Sequence, residues 1–185
     1  MPTRNEMKID VFSDADWAGC PTTRKSTTGF VAQFAGATVH LGARTQSIVA
    51  LSSLEPELSA IGIGAAEALH VRNVLLEACP QAKVTTRTHT DSSSGTSIAT
   101  RTGSSKKAKH IELKHSCIQQ LVQSGILSTR RLHVRSTSER ARFEDISTVL
   151  VYMTSASQPH CNTARVSQAL NGVTFACHTT LTRAI

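Results

Sequence analysis

Several of the 13 acidic residues in this 185-residue chain stand in small knots: Asp14 with Asp16, Glu55 with Glu57, Asp91, and Glu144 with Asp145. Asp14 closes an alternating strand-like run, Glu57 opens a long helical pattern, Asp91 follows another strand-like run, and Asp145 lies in a final helical pattern. They are too far apart in sequence for a local calcium loop, so only the fold can bring them together. In an α/β layer, the carboxyl ends of strands and the starts of helices share one edge of the sheet. Carboxylates gathered there repel one another strongly, and hard divalent cations remove that repulsion. Magnesium favours a few carboxylates together with water and phosphate oxygens. A pair of such ions activates water and stabilises the leaving oxygen of a phosphodiester. The plainer alternative is that each aspartate forms a turn or caps a helix, and from the residues alone both readings stand.

The elements that must position these groups follow from periodicity. Lys8 to Asp14 alternates polar and apolar residues, which predicts a strand. Thr27–Phe34 and Ala37–Leu41 predict two more, joined as a hairpin at Gly36. Ser52 and Ser53 offer N-cap chemistry for a helix from Leu54 to Cys79, in which Leu58, Ile61, Ala65, Ala68 and Leu75 recur at helical spacing. Pro56 falls in its first turn, where a missing N–H costs little, and Pro80 ends it. Gly62 and Gly64 are expected to let this helix lie close to a sheet. Val84–Thr90 predicts a fourth strand, Ser92–Thr100 a short helix, Glu112–Val122 another, Ile126–Val134 a fifth strand and Glu139–Leu150 a last helix. The order β-β-β-α-β-α-α-β-α predicts an α/β fold with one mixed sheet.

Composition narrows the function classes. Net charge is +7, and ten of the 20 lysines and arginines fall between Arg101 and Arg142, opposed only by Glu112 and Glu139. Such a stretch attracts a polyanion, or simply solubilises a surface. Five cysteines without a C-x-x-C pair argue against a disulfide framework or a zinc module. No run is apolar enough to span a membrane, and the start reads as strand rather than secretory signal. The expected setting is cytoplasmic (including a virus-like particle) or nuclear, not secreted. Residues 151–185 hold no Asp or Glu and are expected to form a poorly ordered extension to a domain over 8–150.

Three collinear blocks carry a resemblance. FSDADWAG (Phe12–Gly19), RKSTTGFV (Arg24–Val31) and QSIVALSSLEPEL (Gln46–Leu58) resemble the ribonuclease H domain of copia-type retrotransposon Pol polyproteins. The likeness runs on through AAEALHVRNVL, TDSSSGTSIA, KHIELKH and FEDIST, covering roughly residues 8–150. It implies a ribonuclease-H-like three-layer fold, with a mixed five-stranded sheet flanked by helices. It also implies Mg²⁺-dependent hydrolysis of the RNA strand of an RNA–DNA hybrid, with two ions for which Mn²⁺ is a substitute. Matched position by position, Asp14, Glu57, Asp91 and Asp145 become the catalytic, metal-binding carboxylates.

Ser92, Ser94, Lys106, Lys107, Lys109 and His110 become candidate nucleic-acid contacts, although an N-cap run and a solvated helix start would explain them too. Asp16 reads as a structural cap or supporting group, Trp17 as a packed core residue rather than a base-stacking one, and His115 and His133 as structural. The family's asparagine after the third aspartate is Ser92 here. The implied partners are the hybrid and the reverse transcriptase domain of a parent polyprotein, with no membrane and no small-molecule cofactor. A second reading is a catalytically weak or inactive remnant of such a polyprotein that still folds and binds nucleic acid.

Overall fold

The computed structural model describes residues 6–101 and 109–132, and the side chains of all of these except 109–115. Five strands form one mixed sheet: β1 (Glu6–Asp16), β2 (Thr27–Phe34), β3 (Ala37–Thr45), β4 (Lys83–Thr90) and β5 (Leu127–Arg131). Their order is β3-β2-β1-β4-β5. The first three pair antiparallel as a meander, while β4 joins β1, and β5 joins β4, in parallel. Among the described residues three helices accompany them: α1 (Leu54–Ala78), α2 (Ser93–Thr100) and α3 (Lys109–Gln123). The expected helix over Glu139–Leu150 and the extension over 151–185 lie outside the described residues. Among the described residues, no helix is long and apolar enough to cross a membrane.

Alternation decides which face of the sheet is covered. Ile9, Val11 and Ser13 of β1 are buried toward α1, together with Phe30 and Ala32 of β2 and Val84 of β4. Each fully buried aliphatic side chain contributes about 1.5–3 kcal/mol. A second cluster, with Leu58, Ile61 and Ala65 from α1, Ala99 from α2, Ile118 from α3 and Leu127 from β5, locks the helices to the parallel end of the sheet. Gly64 sits where α1 crosses β1: a Cβ there would lie 3.1 Å from the Cβ of Ser13. The expected close approach is therefore made at Gly64. Gly62 instead faces Ile118 of α3, with ordinary room.

β4 buries three threonines in place of aliphatic residues, and each is hydrogen-bonded. The Thr86 hydroxyl donates to the carbonyl of Ile126, the Thr88 hydroxyl donates to Thr129 Oγ1 at 3.2 Å, and Thr90 Oγ1 accepts from the Ser92 N–H at 3.2 Å. Paired hydroxyls avoid the cost of a buried, unsatisfied polar group and pin the end of β4 to β5 and α2.

Several element boundaries differ from expectation. β1 runs two residues past Asp14, because Ala15 and Asp16 still pair with Thr28 and Thr27. β3 continues to Thr45, since Gly42–Thr45 pair with Thr27–Phe30 although they carry little strand signal of their own. Ala35 and Gly36, both with positive φ, form the tight turn between β2 and β3. Ser53 does occupy the cap position of α1, but its backbone is already helical and its side chain makes no capping bond. The Glu55 carboxylate instead accepts from the N–H of Leu51 at 2.9 Å, which closes the helix entrance from inside the first turn.

Candidate metal centre

Three of the four predicted carboxylates come together. The parallel register places Phe12 beside His89, and continued two residues further it sets Asp91 beside Asp14. Glu57 arrives from the start of α1. Asp14, Glu57 and Asp91 each present an oxygen within 4.8 Å of the other two. Opposite Asp14 on β2 lies Gly29, which brings no side chain of its own to that flank. Asp145 lies outside the described residues.

The cluster is electrostatically unfavourable by itself. Ionised carboxylates about 5 Å apart repel by roughly 3 kcal/mol per pair at an effective dielectric near 20. Burial, then the charges of Asp14 and Asp91, push the Glu57 pKa from 4.5 up to about 8. Asp14 is also raised, by burial first and then by Asp91 and Asp16, against the opposing hydrogen bond from the Ala15 N–H to Oδ1 at 2.8 Å. Glu57 Oε2 is buried without a hydrogen-bond partner. A buried acceptor left unmatched is costly, and a hard cation is the group that would match it. Three converging carboxylates, one with an orphaned oxygen, fit a divalent ion such as Mg²⁺.

Two comparisons with known proteins bear on this arrangement, while no protein-family model matches the chain. In sequence it is similar to an uncharacterized mitochondrial protein of Arabidopsis thaliana, 40% identical over 63 residues, spanning 34% of this chain and 26% of that one. It is also similar to the retrovirus-related Pol polyprotein from transposon RE2 of the same plant, 27% identical over 137 residues, or 74% of this chain and 9% of the polyprotein. The chain thus spans only a small part of these relatives. In structure it matches ribonuclease H1 of Halobacterium salinarum with a TM-score of 0.50 and 15% identity, over 72% of this chain and 89% of that one. The chain has a ribonuclease-H-like fold and is similar in sequence to part of retrotransposon Pol polyproteins. LC11 ribonuclease H1, crystallised with an RNA/DNA hybrid, matches this domain with a TM-score of 0.50 and 15% identity over 75% and 92% of the two chains. The prototype foamy virus protease–reverse transcriptase matches with a TM-score of 0.51 and 13% identity, over 83% of this chain and 21% of that one.

Ser92 caps α2, its Oγ accepting from the Gly95 N–H at 3.0 Å, and Ser94 is exposed in the first turn of that helix. Lys109 and His110 begin α3, with side chains outside the described residues, and Lys106 and Lys107 lie outside them altogether. Of the basic stretch, Arg101, Arg130 and Arg131 are described and exposed. Arg131 pairs with Thr90, so both β5 arginines stand at the sheet edge that carries Asp91. Asp16 is exposed and outside the trio of converging oxygens, but its charge adds to the rise in Asp14.

One expectation is overturned. Trp17 is not packed in the core: it is 51% exposed, because β1 ends at Asp16 and delivers the indole beyond the last buried layer.

One residue was missed. The Gln46 side chain donates both to Thr28 Oγ1 at 2.8 Å and to the carbonyl of Pro56 at 3.1 Å. It ties β2 to the first turn of α1, one residue before Glu57, and so acts as a positioning residue for the cluster. Its identity as a polar residue after a strand gave no signal of that role.

Proposed function

We propose that the chain is a Mg²⁺-dependent endonuclease that cleaves the RNA strand of RNA–DNA hybrids, working beside a reverse transcriptase domain within a longer polyprotein. The observation that carries this reading is the convergence of Asp14, Glu57 and Asp91 within 4.8 Å at the carboxyl ends of β1 and β4. A structural neighbour bound to an RNA/DNA hybrid and another that is a protease–reverse transcriptase support the substrate and the partner. The unit assigned to this activity runs over residues 8–150, with Asp145 as the fourth carboxylate.

Divalent ions held by these carboxylates supply charge neutralisation and the activation of water for attack on the phosphodiester. The chain's own residues prepare that chemistry. The Ala15 N–H fixes one oxygen of Asp14, and Gln46 anchors the helix turn that delivers Glu57. Arg130 and Arg131, at the Asp91 edge, draw in backbone phosphates, which position a duplex without reading its sequence. Ser94 offers a hydroxyl to a ribose 2′-OH, the group by which RNA is told from DNA. Lys106, Lys107, Lys109 and His110 extend the phosphate contacts in this reading.

The test is incubation of the purified chain with a labelled RNA–DNA hybrid, with and without Mg²⁺. Cleavage of the RNA strand only with the metal is expected. Asp14→Asn should lower the rate at least a hundredfold while leaving hybrid affinity within a few-fold. Unchanged cleavage by that variant would sink the assignment. Metal-independent binding without cleavage by the natural sequence would identify an inactive, nucleic-acid-binding remnant.

A further inference from the structure

We infer that Trp17 is a stacking platform for an unpaired nucleotide beside the carboxylate cluster, and that it gives the domain a preference for hybrids with a single-stranded junction. This rests on the nuclease reading above and adds a specificity to it.

Trp17 is the only tryptophan in the chain, and half of its surface is open to solvent. It follows Asp14 by three residues and leaves the sheet where β1 ends. The ring is nonetheless held: its Nε1–H donates to the carbonyl of Ala50 at 3.5 Å. That contact joins the turn after β1 to the segment that leads into α1 and Glu57. Leu51 and Ile48 in the same segment are 88% and 66% exposed, which adds open apolar surface to the segment that the ring touches. The Trp17 loop is itself tied down, with the Ala18 N–H donating to Ser26 Oγ at 3.1 Å and the Arg24 N–H to the Cys20 carbonyl at 2.8 Å. The indole is therefore a half-open aromatic face three residues along the chain from Asp14, with the exposed Arg24 in the same loop.

A half-exposed indole forgoes about half of the free energy that burying so large a side chain yields, and one long hydrogen bond recovers little of it. Contact with a ligand would recover the rest. Within a continuous duplex both faces of every base are covered by neighbours, so an aromatic platform gains a base only where the stack is interrupted. Recognition of RNA by splayed bases on aromatic side chains has this form, and one such stack changes affinity about tenfold or more on truncation to alanine.

The experiment uses the full chain in EDTA, so that nothing is cut, with a blunt RNA–DNA hybrid and the same hybrid extended by a short RNA overhang. Because Trp17 is the sole tryptophan, its fluorescence reports the contact directly. Stronger quenching by the overhang hybrid is expected, with affinity about tenfold above that for the blunt one. By anisotropy of the labelled oligonucleotide, Trp17→Ala should lose that difference and Trp17→Phe should keep it. With Mg²⁺, Trp17→Ala should raise KM for the overhang hybrid and leave kcat nearly unchanged. Equal quenching and affinity for the two hybrids, or a difference that survives Trp17→Ala, overturns the inference. Cleavage of the blunt hybrid alongside such a result leaves the nuclease reading standing, whereas failure to bind either hybrid removes both.

Discussion

Glu57 shows what a single residue reveals about the centre. Its pKa, near 8 in the folded chain against 4.5 ordinarily, means that the fold favours the protonated acid. A group raised in this way supports folding fully below its unfolded pKa, and that support is lost as pH rises through the folded value. Without divalent ions, the melting temperature should therefore fall between about pH 5 and pH 8. Glu57→Gln should flatten that fall, gaining about 1–2 kcal/mol at pH 8 once screening of the partly exposed cluster is allowed for. Thermal unfolding in EDTA across this range checks it, and Mg²⁺ should narrow the gap between the two proteins. A variant less stable at every pH would show that the carboxylate, not its proton, holds the fold. At this same scale the sequence was least transparent. The position of Asp14 at a strand end is written in the alternation of Lys8–Asp14. Its distance from Glu57 is not, because no local pattern encodes how far α1 reaches over β1. Trp17 was misread because a lone tryptophan is usually a core residue, and only the two-residue extension of β1 shows otherwise.

Among elements, the junction between β2, β3 and the start of α1 governs the geometry of the centre. Gln46 bridges Thr28, which is fully buried, and the carbonyl of Pro56. Gln46→Met keeps the volume but removes the donor to both partners, the buried Thr28 hydroxyl above all, and should cost about 1–3 kcal/mol of stability. It should also slow cleavage while leaving hybrid affinity nearly intact. Denaturant unfolding and single-turnover rates separate the two effects, and a variant with natural rate and stability would remove Gln46 from the positioning role. Elements with strong periodicity were readable: β2 at Thr27–Phe34 and α1 from Leu54 agree with their patterns. β3 was cut short at Leu41 because Gly42, Ala43 and Arg44 are weak strand formers, held in the sheet only by pairing with β2. The capping role expected of Ser53 fell to Glu55, since two residues able to close the same turn cannot be ranked by type alone.

For the whole molecule, charge and chain order matter most. Net charge is +7, and exposed Arg24, Arg101, Arg130 and Arg131 are among the residues that carry it. If three or four phosphates are contacted, hybrid affinity should fall roughly 40- to 150-fold between about 50 and 200 mM salt. A flat response in a titration by anisotropy would exclude phosphate-dominated binding. Chain order has its own consequence. The meander of β1, β2 and β3 can zip together from neighbouring sequence, whereas Glu6 must find Lys83 across the intervening hairpin and helix. Such distant partners make assembly slow. During synthesis, the early half can acquire local pairing long before Asp91 has left the ribosome. A product terminated ahead of β4 would keep an unclaimed edge on its first strand, open to adhesion between molecules. It would also have only a pair of acids to offer, so premature stops should yield sticky, silent proteins rather than slower enzymes.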